Sequence, residues 1–248
     1  MTDRRPVTLR APAKLTWSLR VVGTRPDGYH LLDAEFVSLD LADDVVITPG
    51  GAGITVEGPF AAGVPTDRSN LVARALELTG LAAAVHLVKR IPGAGGLGGG
   101  STDAAAVLRW AGVDDPARAA TLGADVAFCV RGGRARVRGI GEVLDPLPPV
   151  ARTVTLVVPP FGVSTPAVYR AWDDLGGPTA EGPNDLEPAA IAVAPRLAWW
   201  RERIGDLAGI APVLAGSGST WFVPGERDNA LATLRSEGAA VVVARTVP

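Results

Sequence analysis

Cysteine is almost missing from this sequence: Cys129 is the only one in 248 residues. A single thiol closes no internal disulfide, so the chain is expected in a reducing compartment, the cytoplasm. Two histidines, His30 and His86, together with that thiol are too few for a His/Cys metal cage. Zinc chemistry is therefore excluded, while carboxylates stay available to a nucleotide-bound Mg2+. Nothing before Lys14 is apolar enough for a signal peptide, and apolar runs such as 239–244 fall far short of a membrane span, so no membrane partner is expected. Charge of one sign is not in excess either. Lys and Arg number 24 against 26 Asp and Glu, a formal net charge of -2, which argues against a nucleic-acid partner. Any anionic ligand must be held locally. Lysine itself is scarce, because only Lys14 and Lys89 are found among those 24 basic residues.

Apolar residues, by contrast, make up 47% of the chain, enough to build a core in one large domain or two small ones. Apolar and β-branched patterning predicts strands at 7–10, 15–22, 36–41 and 45–48, with a turn at Asp27-Gly28. A helix is expected over 70–79 with Gly80 as its stop, then a strand over 85–89, a loop over 91–100 and a helix over 101–111. Further along come a short helix near 116–122, a strand at 134–138 and the Pro-rich stretch 146–149, the best domain boundary, giving units 1–148 and 149–248. Beyond it the pattern predicts strands at 154–158 and 240–244, helices near 166–172, 195–204 and 227–236, and a loop at 216–220. Strands and helices without strict alternation point to an α+β fold. Arg134, Arg136 and Arg138 have strand period and are most simply a solvated face.

The richest segment is Pro92, Gly93, Ala94, Gly95, Gly96, Leu97, Gly98, Gly99, Gly100, Ser101, Thr102 and Asp103, which joins a strand to a helix. Glycine lets successive N–H groups turn toward one point and lets a ligand approach the backbone. The helix that follows carries about half a positive charge at its amino end. Phosphate binding is the leading reading, and a tightly packed glycine turn with Ser, Thr and Asp as plain helix caps is its rival. A Walker loop is excluded because no lysine follows the glycines. Gly93, Gly95 and Gly98 do match Gly-x-Gly-x-x-Gly, but the acidic residue of a dinucleotide site, expected about 20 positions on, is missing; Arg118 stands there. A Rossmann oxidoreductase is thus the weaker alternative.

Pro92 to Ala106 resembles the phosphate loop of the GHMP kinase family. Four more segments extend the resemblance in order and spacing: Pro12-Ala13-Lys14-Leu15, Arg25-Pro26-Asp27-Gly28-Tyr29-His30, Leu122-Gly123-Ala124-Asp125-Val126 and Gly216-Ser217-Gly218. The resemblance implies a two-domain α+β fold with the active site in the cleft between domains. It also implies ATP-dependent phosphorylation of the 2-hydroxyl in the methylerythritol part of a cytidine diphosphate derivative, an isoprenoid precursor step. Mg2+ would accompany the nucleotide, and the chain would be a monomer or weak homodimer. By position, Asp125 matches the family's catalytic aspartate and Lys14 its catalytic lysine. A carboxylate that accepts the alcohol's proton eases attack, and a compact cation beside it offsets charge on the transferred group. Asn70 and Leu71 would lie near the adenine, with Lys89 and the 92–103 segment around the phosphates. Tyr29, His30 and Tyr169 correspond to the cytosine site, and the chain has no other tyrosine.

Three departures bear on substrate fit rather than on phosphoryl transfer. Thr16 stands where the family usually has Asn, Gly216-Ser217-Gly218 varies the second glycine loop, and the stretch from Trp172 to Pro195 looks short. A sibling kinase for mevalonate, homoserine or a sugar, or a noncatalytic nucleotide-binding protein of the same fold, are the alternatives.

Overall fold

The computed structural model describes residues 5–93 and 95–248. Ala94, assigned above to the phosphate loop, lies outside them. Two long strands, β1 (Val7–Thr24) and β2 (His30–Pro49), form an antiparallel ribbon closed by a tight turn, in which the Arg25 N–H donates to Tyr29 O at 2.7 Å. Each replaces a pair of shorter expected strands. Register breaks between Pro12 and Lys14, Thr16 and Ser18, and Val21 and Gly23 interrupt the alternation that marks a continuous strand in sequence.

The other edge of β2 is shared in succession. Its Leu32–Val37 stretch pairs with β5 (Arg134–Gly139), Ser38 and Leu39 with the end of β10 (Ala240–Val247), and Asp44–Pro49 with β4 (Ala83–Val88). The parallel strand β3 (Ile54–Glu57) extends β4, and β6 (Val143–Pro146) extends β5; neither was expected. After the Pro-rich stretch, β7 (Thr153–Val158) lies between β10 and β9 (Trp221–Pro224), with β8 (Val213–Leu214) outermost.

Four helices lie in the first part: α1 (Leu71–Thr79), α2 (Gly99–Trp110), α3 (Pro116–Ala120) and α4 (Ala124–Arg131). As expected, α1 stops at Gly80, which adopts φ 69. The amphipathic pattern misses α4 because its run Val126–Val130 is continuously apolar, a signature that fits a buried strand as well as a buried helix. Thr102 to Leu108 of α2 are all buried, so small Ala104, Ala105 and Ala106 let α1, α4 and β1 approach it from several sides. Phe36 and Phe128 meet edge to face beneath the site, centroids 5.5 Å apart.

The second part adds α5 (Thr165–Asp174), α6 (Glu187–Val193) and α7 (Arg196–Ala208). No α-helix spans 227–236. Only a 3-10 turn, Ala232–Arg235, forms there, and the two buried leucines, Leu231 and Leu234, sit three apart as that geometry requires. The arginines of β5 are not merely solvated. Arg134 forms a two-pronged pair with Glu35, Arg136 pairs with Asp33 and Arg138 with Asp145. No described helix is long and apolar enough to cross a membrane.

Candidate active site

Two clefts meet at Gly96. One, of about 850 Å³, is bordered by Lys14, Tyr29, His30, Asp125, Tyr169 and Gly216 among others; the second, of about 590 Å³, is bordered by Phe60, Asn70, Leu71, Lys89 and the 95–100 loop. The amino end of α2 lies between them. Its first intrahelical bond runs from the Thr102 N–H to Gly98 O at 2.8 Å, and no side chain caps the helix. The N–H groups of Gly99, Gly100 and Ser101 therefore precede the hydrogen-bond ladder and are suited to an anion. The helix begins two residues earlier than the Ser101 expected from sequence, because Gly98 caps it at φ 71, a conformation the hydroxyl and acidic residues do not favour.

Leu97, the one bulky residue in the loop, is buried in a core cluster with Leu15, Val37, Leu156 and Phe222. Its carbonyl accepts from the Lys14 N–H at 3.0 Å, tying loop to ribbon. A methyl group at Gly98 would stand 2.7 Å from Lys14 Cγ, and one at Gly96 3.0 Å from Gly218 O. These glycines thus serve close packing against the lysine and the second glycine loop as well as a ligand.

Lys14 follows a register break in β1 that sends its side chain into the larger cleft. Its Nζ lies 3.0 Å from Asp125 Oδ2, donates to Thr16 Oγ1 at 3.2 Å and sits over the Phe36 ring at 4.7 Å. Asp125, in the first turn of α4, is about one-third exposed to the cleft. Two residues of different elements, far apart in sequence, are thereby brought into one ion pair on the wall of the larger cleft.

Other expected site residues take different positions. Thr102 borders neither cleft; its hydroxyl donates to Pro12 O at 2.8 Å. Gly218 also borders neither cleft and packs on Leu214. Asn70 borders the smaller cleft but uses its amide locally, accepting from the Val72 N–H of α1 and donating to Pro65 O in the segment before that helix. His30 lies against Tyr169 with centroids 4.7 Å apart, so one face of each ring is already taken, whereas Tyr29 is 60% exposed.

Lys89 is buried, with its ammonium between the carboxylates of Asp43 and Asp103. Burial opposes its charge, but the two carboxylates prevail and raise its pKa. Burial pushes the Asp103 carboxyl up to about 7, with Asp43 adding to the rise and Lys89 opposing it. Its Oδ1 is buried with no protein partner. The folded value exceeds the unfolded 3.8, so the folded state holds this proton better and this contribution to stability falls as pH rises from 3.8 toward about 7. Asp103→Asn is expected to flatten that fall, so the variant gains relative to the parent between pH 5 and 8; urea midpoints at both pH values measure it.

Sequence reasoning missed Asp43, Asn184 and Asp185. Asn184 is fully enclosed and donates to Leu214 O at 2.8 Å and Gly216 O at 2.7 Å, holding the second glycine loop. Asp185 accepts from Arg20 Nη1 at 2.7 Å and the Val21 N–H at 3.0 Å. The available signal was an Asn-Asp pair between Pro183 and Pro188, in a stretch read only as short.

The chain is 42% identical over 231 residues to a protein of Paracoccus denitrificans (strain Pd 1222) named 4-diphosphocytidyl-2-C-methyl-D-erythritol kinase, covering 86% of this chain and 84% of that one. It belongs to that family. A crystal structure of 4-(cytidine 5'-diphospho)-2C-methyl-D-erythritol kinase superimposes with a TM-score of 0.80 at 35% identity, covering 98% of this chain and 100% of that one. Homoserine kinase from Cytophaga hutchinsonii ATCC 33406 gives a TM-score of 0.64 at 17% identity, covering 100% of this chain and 96% of that one, a likeness of fold alone. The α+β GHMP kinase arrangement expected from the sequence is therefore the fold of this family member. No family model matches the chain.

Proposed function

We propose that the chain transfers the γ-phosphoryl group of ATP to the 2-hydroxyl of 4-(cytidine 5'-diphospho)-2-C-methyl-D-erythritol, a step toward isoprenoid precursors. The observation that carries the reading is the Lys14–Asp125 pair at 3.0 Å on the wall of the larger cleft, with the Lys14 stem packed against Gly98 of the glycine-lined one. In this reading ATP occupies the smaller cleft, with its phosphates against the free N–H groups of Gly99, Gly100 and Ser101. The alcohol occupies the larger cleft. As the alcohol oxygen bonds to phosphorus and the bond to the ADP oxygen breaks, the hydroxyl proton passes to an Asp125 carboxylate oxygen. Lys14 orients that carboxylate and places an ammonium beside the developing negative charge.

Among the described residues no group of three or more His, Cys, Asp or Glu is arranged to hold a metal. The unpartnered Asp103 Oδ1 and the Ser101 hydroxyl are the protein groups that would hold a cation carried by the nucleotide. When bound, Mg2+ supplies charge neutralisation on the phosphate oxygens.

The test is ATP consumption by purified protein with a panel of alcohols: the cytidine diphosphate alcohol, mevalonate, homoserine and a hexose. Turnover confined to the first supports the reading, and turnover of another member alone rejects the substrate. Gly98→Ala is expected to lower kcat about a hundredfold, because a methyl at a positive φ displaces the Lys14 stem by the order of an ångström. Steady-state kinetics beside a thermal melt separate that effect from loss of fold.

A further inference from the structure

One face of α5 is built around His30. Tyr169, Trp172 and Asp173 follow the i, i+3, i+4 spacing that places side chains together on a helix. Tyr169 stacks on the imidazole at 4.7 Å, Trp172 meets its edge at 5.5 Å, and Asp173 Oδ1 lies 2.8 Å from His30 Nε2. The imidazole is thereby held against rotation, and His30, Tyr169 and Asp173 all border the larger cleft. The second ring nitrogen, Nδ1, makes no hydrogen bond to a described residue and is not among the buried unpartnered atoms. It is open to a ligand.

The geometry points to Asp173 as a positioning residue that makes the cleft selective for an aminopyrimidine over an oxopyrimidine by holding His30 in one tautomer. The inference rests on the reading that this cleft takes a cytidine diphosphate alcohol. A carboxylate only accepts, so in the neutral imidazole the nitrogen facing Asp173 carries the hydrogen and Nδ1 keeps its lone pair. A lone pair there accepts from the exocyclic amine of cytosine. Facing the corresponding carbonyl of uracil, it sets acceptor against acceptor and leaves both unpaired. Without the carboxylate, the hydrogen is free to move to Nδ1 and the discrimination is lost. Asp173 is half exposed, so its removal leaves no core cavity.

The experiment compares parent and Asp173→Ala with the cytidine and uridine diphosphate forms of the same alcohol, beside 15N NMR of the imidazoles. The chain has only two histidines, His30 and His86, so assignment is direct. The parent is expected to favour the cytidine form and to show His30 as the Nε2–H tautomer. In Asp173→Ala the cytidine-to-uridine ratio of kcat/KM should fall roughly tenfold, the loss lying in KM for the cytidine form more than in kcat. The His30 shifts should move toward a tautomer mixture. An unchanged ratio in the variant overturns the inference, as does a parent whose His30 is the Nδ1–H tautomer. Should the parent turn over neither form, the proposed function fails, and the NMR spectra still decide the tautomer.

Discussion

Asp125→Asn is expected to lower kcat by about 10²–10⁴-fold, the range in which a positioned proton acceptor contributes, while the KM for ATP changes little. The amide keeps the shape of the carboxylate but accepts no proton, so the substitution separates chemistry from packing. Asp125 is one-third exposed at the start of α4 and has Lys14 Nζ at 3.0 Å, so the loss of one charge leaves the ammonium facing an amide oxygen at the cleft wall. The fold should survive, which a thermal melt checks. Rapid-quench measurement of the first turnover then tests the assignment: a slowed burst places the defect in the transfer step. A variant with parental kcat would remove Asp125 from the mechanism.

Lys89→Met is expected to have the largest effect on stability, about 3–5 kcal/mol, because it leaves the buried Asp43 carboxylate without its cation and drives Asp103, whose rise Lys89 no longer opposes, to hold a proton. At about 2–4 °C per kcal/mol for a chain of this size, the melting temperature should drop by about 6–20 °C. The penalty comes from uncompensated charge rather than from lost contact. The triple replacement Asp43→Asn, Lys89→Met, Asp103→Asn should therefore recover much of the loss, as measured by urea midpoints of the three proteins. Equal instability of single and triple variants would mean that packing, and not charge, is what Lys89 provides. Because Asp103 lies in the first turns of α2, the same trio ties β2 and the end of β4 to the helix whose amino end faces the joined clefts.

Where chemistry needs an unusual residue, the sequence was readable. A run of glycines broken by one leucine, a lysine in a chain that has only two, and a lone Gly-Ala-Asp at a helix start all lie at the two clefts. Local patterning also located α1 and its stop, because Asn70 caps and Gly80 terminates through contacts within the segment itself. It failed where tertiary contacts decide. The β1–β2 ribbon is long because each strand supports the other through three register breaks, and no window within one strand contains that information. Asp43 fell between two expected strands and carried no signal of its own, because its partners are 46 and 60 positions away. Asn184 is meaningful only once the loop it holds has folded beside it. Thr102 of the phosphate segment and Gly218 of the second glycine loop carried the right chemistry at places that packing turned away from the clefts.

Both side-chain amines of this chain, on Lys14 and Lys89, are buried at the clefts, and the other basic side chains are guanidiniums and two imidazoles. An acylating reagent would thus find no ε-amine on the surface to label. Its rate of attachment at residues 14 and 89 would clock the breathing of the molecule around these two positions, and protection by nucleotide or alcohol would reveal which opening each ligand suppresses.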